Sequence, residues 1–202
     1  MKLAFWNGGA PRVLRTNKRV RLPNGDVAFN ATSDPAHDLY AYVETGSMPS
    51  PYEIAAGMAY ANDGTTITAA RSIAWRPLDE IKNRRVSELA DLRYGVEVGG
   101  MVFAGNVFPT DDRSKTLIMG ARTMAKEDAV YAKNWKVGPG QYVALDAVSL
   151  IAVADAQETH VAAAFANEET HAAAIMAFAD AQAVVDYDIT TGWPDNGQGG
   201  AA

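Results

Sequence analysis

The chain has 202 residues, 18 Lys plus Arg against 24 Asp plus Glu, and a formal net charge of -6. That mild acidity gives no electrostatic footprint for a phosphate backbone, and 48% hydrophobic with 21% charged residues describes a folded globular protein rather than a fibrous or disordered one. The absence of cysteine excludes disulfides, thiol catalysis and cysteine-based metal sites. No run approaches the ~18 apolar residues of a membrane helix, and the apolar stretch 3–6 is too short for a signal-peptide core.

Residues 1–76 read as β-rich, because short apolar runs alternate with turn signals. Strands are expected at 2–6, at Val13-Leu14, at 20–22 and at 27–29, the last two forming a hairpin around Asn24-Gly25, a pair that tolerates the positive φ of a type I′ turn. Leu39, Tyr40, Tyr42 and Val43 form another strand. The prolines in 48–52 predict a stiff extended segment. Residues 58–61 and 65–75 flank an Asn62-Asp63-Gly64 turn. This part is expected to act as a docking domain.

The pattern changes at Pro77, which suits a first helical turn, and Asp79 and Glu80 suit the positive helix end. Leu78, Ile81, Leu89 and Leu92 share a face, with Val86 at its edge, while Lys82 and Arg84 lie on other faces. This helix is expected to end near Tyr94-Gly95, with a strand at 96–98 and a small hairpin through Phe108. A second helix is expected from Asp111 or Asp112 to about Asn134, with Leu117, Ala121, Met124, Tyr131 and Trp135 at helical spacing. Trp135 is expected to be a core anchor. Residues 135–137, the Gly138-Pro139-Gly140 turn and residues 142–145 are expected to form another hairpin. From Asp146 to about Val185 the chain is alanine-rich and helical, in two helices with Asn167 capping the second. The fold class is therefore α+β: a small β-rich domain over 1–76, a helix-rich domain with β-hairpins over 77–189, and a Gly-rich arm over 190–202 carrying Trp193 as an exposed anchor.

Candidate chemistry is sparse. His160 and His171 lie near Glu158, Glu168 and Glu169, but no His-Glu-x-x-His pattern occurs, and they read as surface histidines of a helical hairpin. His37 reads as a loop residue. Thr110, Asp111, Asp112 and Ser114 precede a helix. A catalytic or Mg²⁺ reading uses both carboxylates; capping is the favoured one, since adjacent side chains point apart and short oxygen-bearing side chains satisfy free N–H groups. Gly99-Gly100 and Gly138-Pro139-Gly140 match no phosphate loop. Arg12, Arg15, Lys18, Arg19 and Arg21 alternate with Val13, Val20 and Leu22, which reads as the wet face of a hairpin, with a surface for an acidic protein partner or for nucleic acid as alternatives. No catalytic, metal-binding or cofactor-binding residue is assigned.

Over about 77–180 the chain resembles a tailed-phage domain family of unknown activity found in tail fibre and tail-fibre-associated proteins. The matching residues are Pro77-Leu78-Asp79-Glu80-Ile81-Lys82, Arg93, Gly100, Phe103, Thr110-Asp111-Asp112-Arg113-Ser114, Gly120-Ala121, Trp135, Val143, Leu145, His160-Val161 and Phe165. The resemblance implies a non-enzymatic virion protein of the tail tip, baseplate or fibre, made in the host cytoplasm. Its implied partners are other phage tail proteins and copies of itself, a trimer being favoured by analogy with fibres, with host-surface contact through an attached fibre and without nucleic acid or membrane. The alternatives are a fibre-assembly chaperone not retained in the virion and a small enzyme using Asp111 and Asp112.

Overall fold

The structure is a computed structural model that describes residues 2–15, 19–23, 27–29 and 31–197. It is an α+β protein with a β-rich N-terminal part followed by helices and short hairpins. The chain divides into two compact units, Met1–Pro77 and Leu78–Ala202.

In the first unit the strands are β1 (Lys2–Phe5), β2 (Arg12–Val13), β3 (Arg19–Arg21), β4 (Val27–Phe29), β5 (Leu39–Thr45), β6 (Glu53–Asn62) and β7 (Thr66–Trp75). Five of them form one sheet in the order β2-β1-β5-β7-β6. All neighbours are antiparallel except β5 and β7, which run parallel because β6 intervenes in sequence and takes the outer position. The separate β3–β4 hairpin pairs as its sequence predicts, while the Asn24-Gly25 turn lies outside the described residues. Leu3, Val20, Ala31 and Leu39 pack together on one side of the sheet, and Ala4, Tyr40, Tyr42, Ile67 and Ala69 on the other. The β6–β7 turn is fixed by the Asp63 carboxylate, which accepts from the backbone N–H groups of Thr65 and Thr66 and from the Thr65 hydroxyl. These bonds, with the Thr65 hydroxyl foremost, hold Asp63 below the ordinary carboxylate range. Gly64 supplies the positive φ of +88° that the turn requires. Strand β6 begins at Glu53, earlier than the expected Met58.

The second unit contains α1 (Leu78–Val98), β8 (Met101–Phe103), β9 (Asn106–Phe108), α2 (Asp112–Glu127), β10 (Ala132–Gly138), β11 (Gln141–Asp146), α3 (Ala147–Ala177) and α4 (Ala181–Asp186). Three boundaries depart from the sequence reading. The first helix runs through Gly95 to Val98, so 96–98 is not a strand; Val96 is buried, and that packing outweighs the ~1 kcal/mol a mid-helix glycine costs. The helix stops at Gly99-Gly100, where Gly100 takes a φ of +113°. The second helix ends at Glu127 rather than near Asn134, and the strand expected from Trp135 begins earlier, at Ala132, with Trp135 paired with Val143 as a hairpin there requires. Its core face is Ile118, Ala121 and Ala125, while Leu117 and Met124 are exposed. The alanine-rich region is one 31-residue helix through Asn167, because alanine has the highest helix propensity and a single internal Asn costs little. The break falls at Phe178, and Asp180 caps the short helix that follows. Trp135 is buried with Phe108, Ile118, Leu145, Leu150 and Val153 in the core of this unit. Residues 187–193 lie along α3, and Asn196 and Gly197 lie against Gly100 and Val107, rather than forming a free arm: Ile189 is buried and Trp193 is half-buried against His171. Residues 198–202 of the expected arm lie outside the described residues.

Candidate functional site

The polar cluster before α2 divides its labour. Asp111 is the N-cap: its carboxylate accepts from the Ser114 backbone N–H at 3.1 Å and from the Ser114 hydroxyl at 2.6 Å. These bonds, the Ser114 hydroxyl foremost, hold Asp111 below the ordinary carboxylate range. Asp112 turns instead to Lys115, 3.0 Å away. The two carboxylates thus have different partners and do not form an acid–base pair. Thr110 is fully buried, and its hydroxyl accepts the Gly100 N–H at 2.8 Å, tying the end of α1 to the start of α2.

Charge crosses between helices beside this corner. Glu97 of α1 pairs with Arg93 on its own helix and with Lys115 of α2, the latter at 2.6 Å. The guanidinium of Arg93 lies 4.4 Å above the Phe165 ring of α3, and its Nε stands 3.1 Å from a Glu168 oxygen. Burial works against the Lys115 charge, but its bonds to Glu97 and Asp112 outweigh that and hold the ammonium above its ordinary value. Lys82, expected off the apolar face of α1, is buried, and its ammonium donates to the Met176 carbonyl at 2.8 Å. A cation on the last carbonyls of α3 is favourable both as a hydrogen bond and against the negative helix end.

The histidines also differ from expectation. Both are buried, not on the surface. His160 contacts the Val96 carbonyl through Nε2 at 3.2 Å. His171 makes two bonds, Nδ1 to the Tyr187 hydroxyl at 2.8 Å and Nε2 to the Thr191 carbonyl at 2.9 Å, and stacks on Trp193. Because α3 is continuous, the two rings sit on one face about 16 Å apart, too far to share one ion. Among the described residues no group of three or more His, Cys, Asp or Glu could hold a metal. The burial of both histidines was open to sequence reasoning: Ala147, Leu150, Ala154, Gln157, His160, Ala164, His171 and Ile175 recur at steps of three, four and seven. Glu97, Lys115 and Glu168 had no comparable signal, because their pairing depends on how three helices meet.

A groove of about 460 Å³ runs beside the capped corner, lined by Pro109, Asp111, Leu117, Lys133, Trp135 and Pro139 among others. Its carboxylate is occupied by Ser114, and Lys133 lies over the Trp135 ring. No described helix is long and apolar enough to cross a membrane.

These features define a helix-and-hairpin domain whose polar side chains join its own elements. The chain belongs to a family of domains of unknown function, DUF4376, whose model matches residues 80–191, more than half of the chain and wholly inside the second unit. No curated protein and no solved structure matches the chain.

Proposed function

We propose that this protein is a structural component of a tailed-phage virion, placed in the tail tip, baseplate or fibre attachment zone, and that it works through protein–protein contacts rather than catalysis. The phage setting comes from the sequence resemblance. The mode of action is supported by one observation: the residues that carry that resemblance are engaged as internal joints. Lys82 meets the end of α3, Arg93 bridges α1 and α3, Thr110 holds Gly100, Asp111 caps α2, Trp135 fills the core and His160 holds Val96. A domain defined by its joints supplies a shaped surface, and side chains so engaged are poor candidates for moving protons on a substrate.

Mass spectrometry of purified particles tests the proposal. The expected result is that the protein is retained in the particle in a fixed ratio to other tail proteins. Presence in infected cells but not in particles assigns it to chaperone work instead. An Asp111→Asn or Asp112→Asn variant that keeps its place in the particle but loses a turnover would convict the proposal outright.

A further inference from the structure

Strand β6 is the outer strand of its sheet, with no strand beyond it among the described residues. An outer strand turns alternate N–H and C=O groups to solvent, and folded proteins guard such edges with Lys, Pro, short length or a covering segment. The opposite edge is guarded in that way. Strand β2 has two residues, follows Pro11, and carries Arg12, whose guanidinium lies 5.0 Å from the Phe5 ring centroid. Strand β6 has ten residues, Glu-Ile-Ala-Ala-Gly-Met-Ala-Tyr-Ala-Asn, with no Lys, Arg or Pro and a single charge at its first position. Its one irregularity is the extra residue Ala56, which leaves 57–62 as a regular run.

From this we infer that β6 is a self-pairing edge: two copies of the chain join β6 to β6 antiparallel about a two-fold axis, making one continuous sheet. The inference does not depend on the virion reading. An axis perpendicular to the sheet keeps each face continuous, so a residue must meet a residue of its own face. Centring the axis on Ala59 places Ala59 opposite Ala59 of the second copy, Met58 opposite Tyr60, and Gly57 opposite Ala61. Both Met58 and Tyr60 share a face with the buried Ala69 and Ile67, as their register with β7 requires. That face continues along β7 through Arg71, whose guanidinium donates to the Met48 sulfur, to Ile73 and Trp75, each 39% exposed, so pairing aligns two largely apolar stripes that continue the core side of the sheet. Glu53 of each copy passes beyond the paired run, and no like charges meet. The other face at the joint is Gly57, Ala59 and Ala61, small enough to raise no steric barrier to a second backbone.

The full chain has no cysteine, so a single introduced thiol reports the joint. Ala59 and Ala70 are both exposed and share a face in adjacent strands. At the proposed joint the two Ala59 Cα atoms stand ~4.5–5.5 Å apart, within disulfide reach. The two Ala70 positions, one strand further in on each side, stand three strand spacings or ~14 Å apart. Light scattering of the unmodified chain is expected to give twice the chain mass. Ala59→Cys is expected to form a covalent dimer under mild oxidation, at least tenfold faster than Ala70→Cys. Ala59→Lys, which sets two ammonium groups face to face, is expected to give the single-chain mass at the same concentration with an unchanged circular dichroism spectrum. A monomeric or trimeric mass for the unmodified chain, or equal cross-linking of the two cysteine variants, overturns the inference.

Discussion

The two units hold themselves together in opposite ways. The helical unit is tied internally: caps at Asp111 and Asp146, a buried lysine on a helix end, and an ion-paired corner among α1, α2 and α3. The sheet unit uses two small apolar clusters and a tight turn, and leaves its longest strands partly uncovered, with Ile54, Tyr60, Ile73 and Trp75 between 37% and 40% exposed. Each unit's specificity therefore has a different source. A unit whose polar groups satisfy one another fixes its own shape. A unit that leaves backbone and apolar surface open keeps room for further contacts.

Single substitutions in each unit test this contrast. The largest expected effect is Trp135→Ala, which empties the centre of the helical core and should cost about 3–5 kcal/mol in denaturant unfolding of that unit; a loss below about 1 kcal/mol would remove Trp135 from the core. Next, Thr110→Val deletes the acceptor of the buried Gly100 N–H while keeping the shape, and should cost about 1–3 kcal/mol in the same measurement. Asp111→Ala removes the α2 cap and should cost about 0.5–2 kcal/mol. Here the sign of the pH dependence is fixed. The folded-state carboxyl sits below its unfolded value, so its contribution is fully present above pH ~4 and is lost as pH falls through the lowered value. Wild type and Asp111→Ala should therefore converge in stability as acid is added, as thermal melts would register. Smallest of all, Lys2→Ala removes the solvent-exposed ion pair with Glu44 and should change stability by no more than about 0.5 kcal/mol. An effect as large as that of Thr110→Val would show that the sheet unit too relies on polar joints.

What the sequence made legible follows from the range of each signal. Alternating apolar residues with Asn, Gly and Asp turns located β1, β3, β4, β5 and β7, because strand and turn chemistry is local. Pro77 located the start of α1, and the oxygen-rich run before α2 located its cap. The errors fell where a local signal competed with packing. Gly95 suggested a helix end, but the burial of Val96 carries the helix one turn further. Tyr131 fits a helical period, yet the pairing of β10 with β11 begins at Ala132 and claims Tyr131 for the approach to the strand, so α2 stops seven residues short of Asn134. Asn167 looked like a cap, but its amide donates to the Thr191 carbonyl from inside α3. The interhelical partners of Arg93 and Lys115 lie up to 75 residues away in sequence, from Arg93 to Glu168, beyond any periodic pattern.

The two hydrogen bonds of His171 have one further consequence. A carbonyl oxygen only accepts, so the bond to Thr191 places a hydrogen on Nε2. In the neutral ring Nδ1 is then bare, and the Tyr187 hydroxyl must point its hydrogen inward to meet it. The imidazole is thereby confined to a single tautomer, and a phenol and a peptide oxygen sixteen and twenty residues further along the chain act as its gauge. Adding a second proton to that ring would oblige the Tyr187 hydroxyl to rotate and offer its lone pair instead.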